Sequence, residues 1–167
     1  MWTGSEWIPA PSSSSQSANV DLQDSVVGGD VIISQNNAED IATAMVQALE
    51  RMGITGQSTP EKLTQSQEKE VEQVLEMSNQ LIEHGMILNE NTHIRLGNAA
   101  ELMGELNSAH RHYQLALELS RENHNLKVER ISLSNLGFVE VARSNYDSGE
   151  RYYHESLSLN DGDQRHE

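Results

Sequence analysis

Arg95-Leu-Gly-Asn-Ala-Ala-Glu-Leu-Met-Gly-Glu-Leu-Asn-Ser-Ala-His-Arg-His-Tyr-Gln-Leu-Ala-Leu-Glu-Leu119 decides the fold, because its pattern returns 40 residues later. Leu96-Gly97 recurs as Leu136-Gly137, Tyr113 as Tyr153, and Leu117 and Leu119 as Leu157 and Leu159. Leu106 aligns with Tyr146, Ala109 with the small Gly149, and Ala116 with Ser156. The residue types follow a packing logic. Small residues such as Gly97, Ala100 and Ala109 mark places where two helix backbones approach closely. Leu96, Tyr113 and Leu117 are the bulk that fills the spaces between helices. Gly104-Glu105 makes the turn inside the first unit, and Ser144-Asn145 takes that place in the second. One such unit cannot bury its apolar face alone, so units stack.

The first copy resembles a tetratricopeptide repeat. Leu96-Gly97, the turn glycine Gly104, Ala109, Tyr113 and Ala116-Leu117 stand where that motif places them. The second copy departs from it at Ser144, Gly149 and Ser156, and neither copy has the usual proline after its second helix. A spacing of 40 residues, against about 34 for the standard motif, resembles the long-helix subclass. That subclass occurs in kinesin light chains and in regulators of G-protein signalling and spindle orientation. The linking segment Leu117-Glu-Leu-Ser-Arg-Glu-Asn-His-Asn fits it. Leu75-Glu-Met-Ser-Asn-Gln echoes Leu117-Glu-Leu-Ser-Arg-Glu and reads as the second helix of a degenerate earlier unit. The first helix of that unit is either 38–52 or absent. The resemblance covers residues 65–159.

Upstream, the periodicity changes. Ile41, Ala44, Met45, Ala48, Leu49 and Met52 recur on one helical face, which predicts a helix over 38–52 within a 38–60 helix-and-linker segment. Asn37 is its expected N-cap, Glu39 and Asp40 suit the positive end of the dipole, and Gly53 stops it. Thr59-Pro60-Glu61 reads as a new start. Helices are then expected near 61–84, 90–103, 106–123, 126–143 and 146–159, an array ending about residue 160, with a polar tail over 161–167. Residues 20–34 hold two β-branched runs around Gly28-Gly29, the pattern of a short hairpin. A hairpin of that size cannot bury itself, and pairing between subunits is the expected remedy. Residues 1–19 carry both tryptophans, Pro9, Pro11 and the serine run 12–15. That is a tail composition, in which Trp2, Trp7 and Ile8 are candidate docking residues. The expected fold is therefore mainly α, an antiparallel helix-pair superhelix with a small N-terminal β element.

Composition narrows the function. The 167 residues include 26 Asp and Glu against 11 Lys and Arg, a formal charge of −15. Nucleic acid and anionic membranes repel such a chain. Without cysteine there are no disulfides, thiolate metal sites or cysteine nucleophiles. No apolar run reaches the roughly 18 residues of a membrane span, and the N-terminus has no signal-peptide pattern. A cytoplasmic location is the default expectation, with an extracellular or cell-surface assembly left open. Gly28-Gly29 is not followed by a phosphate-loop lysine. His110 and His112 stand two apart, on different helix faces, and His84, His93 and His124 fall near helix ends, where solvation or capping is expected. Acidic pairs such as Glu68/Glu72 and Glu101/Glu105 read as solvated faces. No nucleophile, base and orienting group assemble, so the chain reads as non-enzymatic, with no cofactor and no metal.

The resemblance implies that the first helix of each unit lines a concave side. Asn91, Ile94, Asn98 and Glu101 of the first unit, and Ser134, Phe138 and Val141 of the second, are then the partner-facing residues. They would meet an extended peptide, of basic character to suit the charge, unless a preceding helix or another subunit covers them. The last helix keeps an apolar face at Tyr146, Tyr153, Leu157 and Leu159 with nothing after it to cover it. Two clear repeats are also short of the three or so that stability needs. Both facts point to a protein-binding protein that completes its core with copies of itself. The expected contacts are Trp2, Trp7, Ile8, Val26, Val27, Val31, Ile33, Tyr153 and Leu157. A structural unit of a ring, tube or filament is the primary reading. A monomeric adaptor with a peptide in its groove is the alternative.

Overall fold

The computed structural model describes residues 37–163, with side chains through residue 159. Six helices run through the described residues: α1 (Ala38–Arg51), α2 (Gln65–Glu83), α3 (Glu90–Leu102), α4 (Leu106–Glu122), α5 (Leu126–Ala142) and α6 (Tyr146–Asp163). They pack as neighbouring pairs, α1 with α2, α3 with α4 and α5 with α6, and α4 joins the last two pairs by packing on α5. There is no strand among the described residues. The expected β segment 20–34 and the tail 1–19 lie outside them.

Local sequence explains where the helices begin. Asn89 caps α3 by accepting from the Thr92 amide at 2.8 Å, and Asn125 caps α5 by accepting from the Val128 amide at 3.3 Å. α2 does not start at Glu61, as the sequence suggested, but at Gln65. The reason is a capping box. The Gln67 amide donates to Thr64 Oγ1 at 3.3 Å, and the Thr64 amide donates back to Gln67 Oε1 at 2.9 Å. Asn37 does hold the cap position of α1, but its side chain makes no capping bond there. α6 runs on to Asp163, past the expected end at 159, since no proline interrupts the backbone ladder.

The turns inside the two units match. Gly104 (φ 74°) and Ser144 (φ 66°) both adopt the left-handed conformation. Glycine takes it freely and serine at some cost. The Leu-x-x-Ser echo is also real structure. Ser78 donates to the Leu75 carbonyl at 2.7 Å and Ser120 to the Leu117 carbonyl at 2.9 Å, both fully buried.

One core runs through all the pairs. Ile41, Met45, Leu49, Met77 and Leu81 fill it at the α1–α2 end, Ile94, Leu96 and Tyr113 in the middle, and Leu133 and Leu136 beyond. Of the histidines near helix ends, His84 and His124 are exposed as expected, but His93 is not. His93 and His112 are both buried, with Nδ1 atoms 3.2 Å apart. α3 contacts α1, α2, α4 and α5, so even its first-turn side chains are interior.

Candidate partner-binding faces

The expected concave residues divide into two groups with different fates. On α3, Ile94 is buried beneath the 52–64 loop, and a Cβ on Gly56 would stand only 3.8 Å from its Cγ2. Asn98 is almost as buried. Its Nδ2 donates to the Thr55 carbonyl at 2.6 Å, and its Oδ1 accepts from the Tyr113 hydroxyl at 2.7 Å. The same hydroxyl donates to Glu101 Oε2 at 3.0 Å. Burial raises the Glu101 pKa against the opposing pull of that bond. Burial and the neighbouring Glu101 charge raise that of Tyr113. Asn91 stays exposed. The polar atoms that would clasp a peptide on the first unit are thus already engaged by the chain's own loop and its own tyrosine.

On α5, Ser134 bonds to Ser156 across the pair, Oγ to Oγ at 2.8 Å. Phe138 and Val141, the positions that correspond to Asn98 and Glu101, are exposed, Phe138 by 50%. They neighbour one another one helical turn apart. α6 continues the apolar surface. A Cβ on Gly137 would meet the Tyr153 ring at 2.9 Å, and one on Gly149 would meet Val141 Cγ2 at 2.7 Å, so these helices touch at their smallest residues. Tyr146, Tyr153 and Leu157 project outward, Leu157 with 63% exposure. Trp2, Trp7, Ile8, Val26, Val27, Val31 and Ile33 fall outside the described residues.

A groove between the 52–64 loop and α5 has no counterpart in the sequence reading. It holds two adjoining cavities of about 570 and 420 Å³ that share Gly56, Gln57, Lys127 and Ile131. Arg130 lines the larger and Arg95 the smaller, and among the described residues no aspartate or glutamate lines either. Arg95 leans away toward Glu50 (2.8 Å), and its buried Nε has no hydrogen-bond partner among the described residues. No local signal could have found this groove, because residues 56–57 and 127–131 meet only through packing.

The buried histidines form a proton-sharing pair. A bond between the two Nδ1 atoms needs one of them protonated and the other bare, and burial favours the neutral form of both rings. Burial, helped by the charge of Arg111, pushes His93 down to about 4. Burial, then His93 and Arg111, push His112 down to about 3. Glu90 is held at the base of α3 by Asn123 and Asn125, each donating at 3.1 Å. No group of three or more metal-ligating side chains gathers among the described residues. None of the described helices is long and apolar enough to cross a membrane. No family model, curated protein or solved structure matches the chain.

Proposed function

We propose that this chain is a non-enzymatic protein–protein interaction module built of tetratricopeptide-like helix pairs, and that it self-associates through the apolar face of its α5–α6 pair. One observation carries the reading. The face of α3–α4 that holds Tyr113 is closed by α5 and the 52–64 loop. The same face one unit later, with Phe138, Val141, Tyr153 and Leu157, is closed by nothing among the described residues. A further helix pair is its natural complement, and a second copy of this chain supplies one. The alternative, a basic peptide clasped by Asn98 and Glu101, draws on groups that Thr55 and Tyr113 already occupy.

Light scattering coupled to size exclusion tests the reading on the full chain. A mass above the 18.6 kDa of one chain is expected. It should grow with salt, because two copies of charge −15 repel until screened. Phe138→Asp with Leu157→Asp should return a monomer with unchanged helical circular dichroism, since both side chains are half or more exposed. A wild-type monomer at all salt concentrations sinks the self-association.

A further inference from the structure

The groove between the 52–64 loop and α5 is an anomaly of charge. The protein carries −15, yet three of its 11 basic residues, Arg95 (paired with Glu50), Lys127 and Arg130, line two joined cavities that no acidic side chain among the described residues lines. The first turn of α5 lies at the same place, where the helix dipole is positive and the turn's own Glu129 is engaged by Arg121. Polar groups for an extended backbone stand along the walls at Gln57, Asn91 and Asn135. Ile131 supplies an apolar floor common to both cavities. Such a groove fits an acidic, extended segment with apolar residues between its charges.

The chain contains one. Residues 1–36 hold Glu6, Asp21, Asp24 and Asp30 and no Lys or Arg, and 20–34 is the part that mixes acids with β-branched residues. Its reach is sufficient. α1 has 14 residues, about 21 Å at 1.5 Å each, so about seven extended residues retrace it. That length is enough for residues 20–29, with Asp21 and Asp24 among them, to reach Gln57. We propose that segment 20–34 docks in this groove of its own chain, its aspartates against Lys127 and Arg130 and its valines on Ile131. The larger cavity borders the α5–α6 face at Leu157, but Lys127 and Arg130 are not part of that face, and reversing their charge reads the groove without disturbing Leu157.

Hydrogen–deuterium exchange on the full chain tests it. Amides of 20–34 should exchange at least about tenfold more slowly than in a free peptide, equally at low and high protein concentration. Lys127→Glu with Arg130→Glu should abolish that protection without loss of helical content, as both residues are exposed. Adding Asp21→Lys and Asp24→Lys to that variant should restore it, which a merely structural role for the cations would not do. Each of the following outcomes overturns the proposal. One is free-peptide exchange over 20–34 in the wild type. A second is protection indifferent to the charge reversal. The third is protection that rises with concentration, which would place the segment on a second copy. Fast exchange together with saturable binding of an added Asp/Val peptide would assign the groove to a separate acidic chain, and so also overturn it.

Discussion

Tyr113 and Tyr153 occupy one position in two successive units, and their surroundings differ in every respect that matters. Tyr113 is 0% exposed, and its hydroxyl donates to Asn98 and Glu101. Tyr153 is 38% exposed, and the residues that replace Asn98 and Glu101 are Phe138 and Val141, which offer no side-chain acceptor. Beneath each ring lies a glycine, Gly97 or Gly137. The difference teaches that the shared pattern specifies the helix pair, while the polar or apolar character of the outer positions records what covers it. The first unit is an interior, with buried hydroxyl and amide groups satisfied. The second presents apolar side chains, Phe138, Val141, Tyr153 and Leu157, that nothing among the described residues covers.

Truncating the two rings gives the largest contrast. Tyr113→Ala should cost about 4 kcal/mol in urea denaturation, since it empties a filled core site and strands Asn98. Tyr153→Ala should cost about 1 kcal/mol. Equal costs would break the comparison, because they would mean that the second unit is as enclosed as the first.

Acid should attack the first unit in preference. The counterparts of His93 and His112 are Leu133 and Tyr152, so only the first unit buries a histidine pair. Both folded pKa values, about 4 and about 3, lie below the ordinary 6.5. The unfolded chain therefore binds protons first as pH falls. Stability from this pair is complete above pH 6.5 and declines from there to about pH 4, by up to about 1.4 kcal/mol per pH unit for each histidine. Stability measured from pH 7.5 to 4 should show that slope. His93→Leu with His112→Tyr imports the second unit's residues, and should flatten it.

The glycines sharpen the contrast on a finer scale. A Cβ at position 97 would stand 2.3 Å from Cε1 of a ring that is buried and hydrogen-bonded, so the ring cannot yield. Gly97→Ala should lose about 2 kcal/mol even after its gain in helix propensity. Gly137→Ala meets a ring free to swing outward, and thermal melts should place it within about 0.5 kcal/mol of wild type.

The smallest effect should come from the ion pairs that tie the units together. Arg121, in the last turn of α4, bonds Glu129 on α5 at 2.8 Å and also Glu155 on α6. Arg121 and Glu155 are both more than a third exposed, so water screens much of the attraction. Arg121→Ala should cost less than about 1 kcal/mol, and less still in high salt. A larger loss would mean that the two units are coupled by charge rather than by apolar packing.

Much of this fold was legible because its signals are local. The Leu-Gly and Tyr pairs, the turns at Gly104 and Ser144 and the Leu-x-x-Ser echo all lie within one helix or one turn, where residue type and spacing act directly. Tyr146, Tyr153 and Leu157 were readable as an apolar face of the last helix for the same reason, whereas Leu159 turned inward and Phe138 and Val141, read as lining a concave side, proved to stand exposed beside that face. The start of α2 was misplaced because proline is a permissive start, whereas Thr64 and Gln67 make an actual bond.

The periodic pattern of the chain determined by itself the helix pairs, their order, their turns and the small-against-large contacts at their crossings, since these follow from the 3.6-residue period and side-chain volume. Only the tertiary structure decided that the aperiodic 52–64 loop seals the α3 face, that His93 and His112 share a proton, and that Arg95, Lys127 and Arg130 converge on one groove. Those contacts join residues tens of positions apart. No local periodicity encodes them, because they exist only once the pairs have stacked and the free energy of burial has chosen which faces meet.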